Sequence, residues 1–244
     1  MFDLHGRTAL VTGAGQNVGA GIARALAAQG ADVVVNDLHA ERAEAVAAAI
    51  EADGGRAVAS AFDVTDLDEV LAAVAALDPV DILVNNAGIA EGAMALAPFR
   101  EMEPSAWDGP ISINVYGVLH CCRAVIDGMC DRGWGRIITI SSGAGTAGTR
   151  IGVSPYATGK GGGIAFTRTL ALEVARSGVT ANSVALGMMS RDDADVDAAL
   201  ARSIPVGRVG TPADVGAACV WLASDESGWV TGQTIEVNGG SITT

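Results

Sequence analysis

Seven short runs rich in Val, Ile, Leu and Ala alternate with six helical stretches along the chain, and few folds accept that order. The strand-like runs are Thr8–Thr12, Asp32–Asn36, Ala57–Ala61, Asp81–Val84, Arg136–Ile140, Thr180–Ala185 and Gln233–Val237. Between them lie helical patterns at Val18–Gln29, Ala40–Ala52, Leu67–Ala76, Ala106–Asp131, Pro155–Ser177 and Ala213–Ser224. Strands that stay apolar at consecutive positions are buried on both faces, the condition of a parallel sheet covered by helices. With right-handed crossovers this gives a doubly wound α/β sheet of about seven strands in three layers. No Pro/Ser-rich linker or repeat interrupts the pattern, so residues 1–244 read as one domain.

Composition narrows the partners. Half of the 244 residues are hydrophobic, yet no apolar run approaches the roughly 18 residues that a membrane span needs. The formal net charge of −13 opposes binding to nucleic acid or to an anionic membrane. Four cysteines show no CxxC or metal-ligand spacing, and three of them (Cys121, Cys122, Cys130) fall in one helical stretch. They read as reduced thiols packed as small hydrophobes. The three histidines are scattered, and no metal site is expected. The N-terminus shows no basic region followed by an apolar one, so the cytoplasm is the expected compartment.

The first strand runs into Thr12-Gly13-Ala14-Gly15-Gln16-Asn17-Val18-Gly19 and then a helix. A glycine-rich turn at that place offers backbone N–H groups and a helix N-terminus to a pyrophosphate. Together with the alternating elements it indicates a dinucleotide-binding Rossmann fold, with Gly13, Gln16, Asn17, Val18 and Gly19 as cofactor contacts. The second strand ends at Asn36-Asp37-Leu38. An acidic residue there accepts hydrogen bonds from ribose hydroxyls and repels a 2′-phosphate. Arg42 is the nearest base, so NAD is expected rather than NADP. The bland alternative makes Asp37 the N-terminal cap of the next helix.

Lys160 is the one lysine in the chain, against fourteen arginines, and it follows Tyr156 by four residues. A compact, rotatable ammonium cannot be replaced by a guanidinium at a shaped site. On a helix the two side chains share a face, where Lys160 could lower the Tyr156 pKa towards working pH and make an acid/base pair.

With the glycine turn, Asn85-Asn86-Ala87-Gly88 and Tyr156-Ala157-Thr158-Gly159-Lys160 in this order, the chain resembles the short-chain dehydrogenase/reductase family over essentially its whole length. The resemblance implies an NAD(P)-dependent oxidoreductase that interconverts a secondary alcohol and a ketone. It implies Tyr156 as general acid/base, Lys160 as its electrostatic partner and ribose anchor, Ser142 as the group that orients the substrate oxygen, and Asn114 as support for a proton relay. It further implies that Asp63 and Val64 contact the adenine, Asn86, Ala87 and Gly88 the turn beneath the cofactor, and Gly187 and Met189 its nicotinamide end.

Several positions depart from the family's pattern. Asn17 stands where a glycine is usual, and Leu186-Gly187 where Pro-Gly is usual. Ser190-Arg191 occupies the place of a Thr near the nicotinamide amide, and Pro110 should kink or delay the first turns of its helix. Glycines at 159, 161, 162 and 163 each cost a helix about 1 kcal/mol, so packing must hold the Lys160 segment. The substrate loop is expected between Gly187 and Pro205, with Met188, Met189 and the acidic Arg191-Asp192-Asp193-Ala194-Asp195 stretch. Ala93–Phe99 and Thr146–Val153, including Thr149, Arg150 and Ile151, would supply other walls of a mainly apolar pocket.

The pattern is similar to members that reduce 3-oxoacyl groups on acyl carrier protein. Leu172 stands where those tend to place Arg, and the acidic chain would repel an acidic carrier. A free small-molecule alcohol or ketone, or a non-carrier acyl compound, is therefore expected, with the carrier-bound 3-oxoacyl group as the alternative. An enoyl-thioester reductase would need Tyr and Lys six residues apart, and no such pair exists. A non-catalytic NAD-binding sensor is the alternative of another class. Two long helices with apolar residues over much of their circumference imply, by resemblance, a homotetramer or a dimer.

Overall fold

The computed structural model describes residues 1–89, 96–190 and 193–243. Seven strands form one sheet: β1 (Thr8–Val11), β2 (Asp32–Asp37), β3 (Arg56–Ala61), β4 (Ile82–Asn85), β5 (Gly135–Ser142), β6 (Val179–Leu186) and β7 (Thr234–Val237). Their spatial order is β3-β2-β1-β4-β5-β6-β7, and every adjacent pair is parallel. The order reverses between β1 and β4, where the crevice of an open α/β sheet lies. The helices are α1 (Asn17–Ala28), α2 (Ala40–Ala52), α3 (Leu67–Ala75), α4 (Asp108–Ile111), α5 (Gly117–Arg132), α6 (Gly143–Thr146), α7 (Ser154–Val174), α8 (Ala194–Ala201) and α9 (Pro212–Ala223). None is long and apolar enough to cross a membrane.

Alternation along each strand supplies two cores. Val33 and Val35 of β2 join Val11, Ile82 and Ile138 beneath α1, α2 and α9. Val34 points the other way and joins Leu10, Leu83 and Ile137 beneath α3, α5 and α7. Both faces are apolar because both are covered, as the sequence pattern required. Cys121 and Cys122 sit in the second core, and burial pushes both thiols up, that of Cys122 to about 12. They are packing groups, as expected.

The N-terminal edge of the sheet is held by a polar scaffold. Arg136 is 4% exposed. It donates to the Ser224 and Gly135 carbonyls and stacks, together with Arg7, on the Trp134 ring. The opposite edge carries the candidate site.

Two segments differ from the sequence reading. The stretch Ala106–Asp131 is not one α-helix: α4 gives way to a π turn at Ser112–Tyr116 before α5 begins. Pro110 lies in the first turn of α4, where its missing N–H removes no helical bond. The acidic stretch after Met189 is a helix start, with the Asp193 carboxylate accepting from Asp195 and Val196 N–H as the cap of α8. Arg191 and Asp192 of that stretch, and residues 93–95 of the expected wall, lie outside the described residues.

The glycines around Lys160 now have a physical reason. A Cβ on Gly159 would lie 2.7 Å from the Pro110 carbonyl oxygen and 2.9 Å from Asn114 Cβ. A Cβ on Gly145 would lie 2.9 Å from the Gly161 nitrogen. Helix α7 therefore packs backbone to backbone against the π turn and against α6. This close packing offsets the poor helix propensity of the segment.

Candidate functional site

The candidate residues are grouped by the ends of strands. Gly13 to Gly19 follow β1, Asp37 ends β2, Asp63 and Val64 follow β3, Asn86 to Gly88 follow β4, Ser142 ends β5, and Gly187 follows β6. All lie at the carboxyl edge of one parallel sheet, where ligands of such sheets bind.

The glycine turn is tightly folded. Gly13 has φ +60°, and a Cβ there would lie 2.8 Å from Ala87 Cα. A Cβ on Gly19 would collide with the Gly13 carbonyl oxygen. Asn17 has φ +48°, the left-handed conformation in which Asn is the best substitute for Gly. Asn17→Gly should leave thermal stability unchanged or raised. Asn17→Ala should cost about 1–2 kcal/mol, lowering the melting temperature by about 2–4 °C for each kcal/mol. Equal melting temperatures for the two variants would show that the turn relaxes. Gln16 is exposed and precedes α1 without capping it through its side chain, and the first turn of α1 holds no acidic residue. Val18 packs against the first core.

Two residues passed over in the sequence knit these turns together. Thr12 Oγ1 accepts from Asn86 N–H and Ala87 N–H, both at 3.0 Å. Asn86 Nδ2 returns the bond to the Thr12 and Gly13 carbonyls. Asn36, 1% exposed, accepts from Gly13 N–H and donates to Ser60 and Phe62 carbonyls. Its only sequence signal was a polar residue ending an apolar strand.

Asp37 is buried at the lip of the glycine turn. One carboxylate oxygen accepts from Gly15 N–H at 3.1 Å and the other from His39 N–H at 3.0 Å. It does not cap α2, whose preceding residue is His39. Leu38 beside it is 62% exposed, and Arg42 Cβ approaches the same glycine. The Asp63 carboxylate folds onto Thr65, and the Val64 carbonyl meets the His120 ring at 3.1 Å.

The second cluster brings Asn114, Ser142, Tyr156 and Lys160 together. Lys160, 8% exposed, donates from Nζ to the Ile140 carbonyl at 2.9 Å, and the Lys160 carbonyl accepts from Ser141 Oγ. Burial lowers its ammonium to about 8. Tyr156 is half-buried, and loss of solvation raises its phenol while a hydrogen bond with Ser142 opposes the rise. Lys160 Nζ stands 5.9 Å from the centre of the tyrosine ring. The expected lowering of Tyr156 by Lys160 is thus not what the protein's own groups produce: burial is the largest cause, and the ammonium is turned to a carbonyl. Asn114 donates to the Pro110 carbonyl at 2.9 Å, while its Oδ1 is buried without a partner among the described residues. A Cβ on Gly88 would stand 3.8 Å from Lys160 Nζ and 4.0 Å from Asn114 Oδ1. The two clusters therefore meet at Gly88.

The rest of the expected pocket is less tightly drawn. Gly187 passes so close to Asn238 that a Cβ would lie 2.7 Å from its Cα. Met189 bridges to Gly210 and packs against the first core. Thr149, Arg150 and Ile151 are exposed, and the wall segments join where Ala97 N–H donates to the Gly152 carbonyl.

An uncapped helix start beside a glycine turn suits a pyrophosphate, and an unpaired buried acceptor beside an ammonium suits ribose hydroxyls. The residues thus fit a nicotinamide dinucleotide. The short chain dehydrogenase pattern matches residues 7–199. An acetoacetyl-CoA reductase from Cupriavidus necator is 38% identical, over 96% of this chain and 97% of its own. A gluconate 5-dehydrogenase from Burkholderia cenocepacia, solved with NADP and tartrate, superposes with a TM-score of 0.90 at 37% identity, over 98% and 96% of the two chains. A 3-oxoacyl-[acyl-carrier protein] reductase from Brucella melitensis, solved with NAD, gives 0.92 at 34% identity over 99% and 94%. The pattern match and these full-length likenesses place the chain in the short chain dehydrogenase family, as an NAD(P)-dependent oxidoreductase that interconverts secondary alcohols and ketones.

Proposed function

We propose that Tyr156 exchanges the proton of this reaction, with Ser142 orienting the substrate oxygen, Lys160 supplying positive charge and Asn114 supporting the proton path. The observation that carries the reading is a half-buried phenol beside the Ser142 hydroxyl, with a buried ammonium one helical turn further on. Because burial raises Tyr156, the phenol is neutral at working pH and holds the proton that carbonyl reduction consumes. The nicotinamide, when bound, supplies or takes up the hydride. The turn from Gly13 to Gly19 would hold its pyrophosphate, Asn86 to Gly88 would lie beneath it, and Lys160 and Asn114 Oδ1 would meet its ribose. NADH-linked turnover of methyl ketones tests the reading, and inactivity with both nicotinamides would refute it.

NAD is the proposed cofactor. A buried carboxylate at Asp37 is a poor neighbour for a 2′-phosphate, although one solved relative holds NADP. Asp37→Ala should weaken NADH binding by about tenfold, the worth of a charged hydrogen bond, and narrow the preference over NADPH. An unchanged ratio in paired titrations would mean that Asp37 serves only Gly15 and His39.

The proposed substrate is a mainly apolar small alcohol or ketone, or a 3-oxoacyl compound not attached to a carrier protein. Leu172, 77% exposed, and the net charge of −13 support this over a carrier-bound group. Assembly as a homotetramer is supported by the fully exposed Trp229 together with Leu172; a dimer would serve the same surface. Four free cysteines suit the cytoplasm, and the whole chain acts as one domain on this reading.

A further inference from the structure

The C-terminal segment returns to the catalytic edge of the sheet. After β7 the chain reverses through Gly239 and Gly240, at φ +62° and +85°. Asn238, 8% exposed, holds the reversal: Nδ2 donates to the Ile242 carbonyl and to Glu236 Oε2, each at 3.0 Å, and Oδ1 accepts from Gly240 N–H at 2.9 Å. The close approach of Gly187 fixes Asn238 against the end of β6. This arrangement lays Ile242 on Gly143, where a Cβ would lie 2.6 Å from Ile242 Cδ1 and 3.6 Å from the Leu186 carbonyl oxygen. Gly143 directly follows Ser142. An apolar side chain from the far end of the sequence is therefore seated one residue from the hydroxyl proposed to orient the substrate.

We infer that Ile242 determines substrate specificity, forming an apolar wall that limits the substituent on the reacting carbon, with Asn238 as the residue that positions it. The inference rests on the proposed alcohol/ketone reading. Ile242 carries no titratable group, so it acts on fit rather than on proton transfer. A methylene in an apolar pocket is worth roughly 10–200-fold in discrimination.

The test is steady-state kinetics of the wild type, Ile242→Val, Ile242→Ala and Ile242→Phe on short and long methyl ketones with NADH, with NADH affinity measured in parallel. Ile242→Ala should raise KM for short ketones more than it changes kcat. It should also move the long-to-short ratio of kcat/KM upward by about tenfold. Ile242→Val should fall between, and Ile242→Phe should move the ratio the other way, all with NADH affinity unchanged. A ratio equal to that of the wild type overturns the inference alone. Loss of NADH binding in Ile242→Val and Ile242→Ala also overturns it, since Ile242 would then prop the fold. A wild type that turns over no ketone or alcohol overturns the functional reading and this inference with it.

Discussion

Tyr156→Phe is expected to leave a folded protein that binds cofactor normally but has lost about 10²–10⁴-fold in kcat/KM. The substitution removes one oxygen and keeps the ring that packs beside Lys160. Ser142 keeps its bond from Ala144 N–H, so the start of α6 is not undone. What disappears is the group proposed to hold a proton at the substrate oxygen, and neither Ser142 nor Lys160 replaces it. Ser142 is a far weaker acid than a phenol, and Lys160 is committed to the Ile140 carbonyl. Stopped-flow loss of nicotinamide absorbance separates this from a binding defect. Residual activity near the wild-type level would remove Tyr156 from the mechanism.

Lys160→Arg is expected to fail almost as completely, although it preserves charge. The ammonium is buried: Gly145 packs on the Lys160 backbone and Cβ, Gly88 faces its Nζ, and the Ile140 carbonyl accepts from it. A planar, five-donor guanidinium overfills that space, with a packing cost of about 1–3 kcal/mol. Cofactor affinity should fall too, since the same nitrogen is proposed to meet the ribose. The pH dependence gives a second readout. Burial lowers Lys160 to about 8, so its charge is present below that value and is lost as pH rises through it. If the charge is used, kcat/KM for reduction in the wild type declines above about 8, while Tyr156 is still protonated. Any residual activity of Lys160→Arg should lack that decline. A wild-type profile that stays level to the ordinary tyrosine range would show that the charge of Lys160 is dispensable.

The parts of this site that were legible in the sequence are those fixed by local chemistry. Consecutive apolar residues in Val33-Val34-Val35 announced a strand buried on two faces, and the two cores bear that out. Asn17 was readable as a glycine surrogate, and its backbone is left-handed. The glycines around Lys160 signalled a helix held by packing, and Gly159 against Pro110 and Asn114 is that packing. The features that escaped depend on partners distant in sequence. Thr12 acts through Asn86, 74 residues away, and Ile242 reaches Gly143 from the far end of the chain. The π turn holding Asn114 has no sequence signal of its own, since Ser112–Tyr116 is an acceptable α-helical stretch. The Tyr156 shift was misjudged because spacing reveals a neighbouring charge but not the depth of burial.

The most direct test of the account is titration of the purified wild type with NADH and with NADPH, following nicotinamide fluorescence. Both the glycine turn and the Lys160–Asn114 cluster should engage the same molecule, with NADH bound more tightly if Asp37 plays the role proposed for it. Tighter binding of NADPH would contradict the role given to Asp37 and point to Arg42, whose Cβ already borders Gly15. Binding of neither would contradict the cofactor site, and with it the assignment of Tyr156 and Lys160.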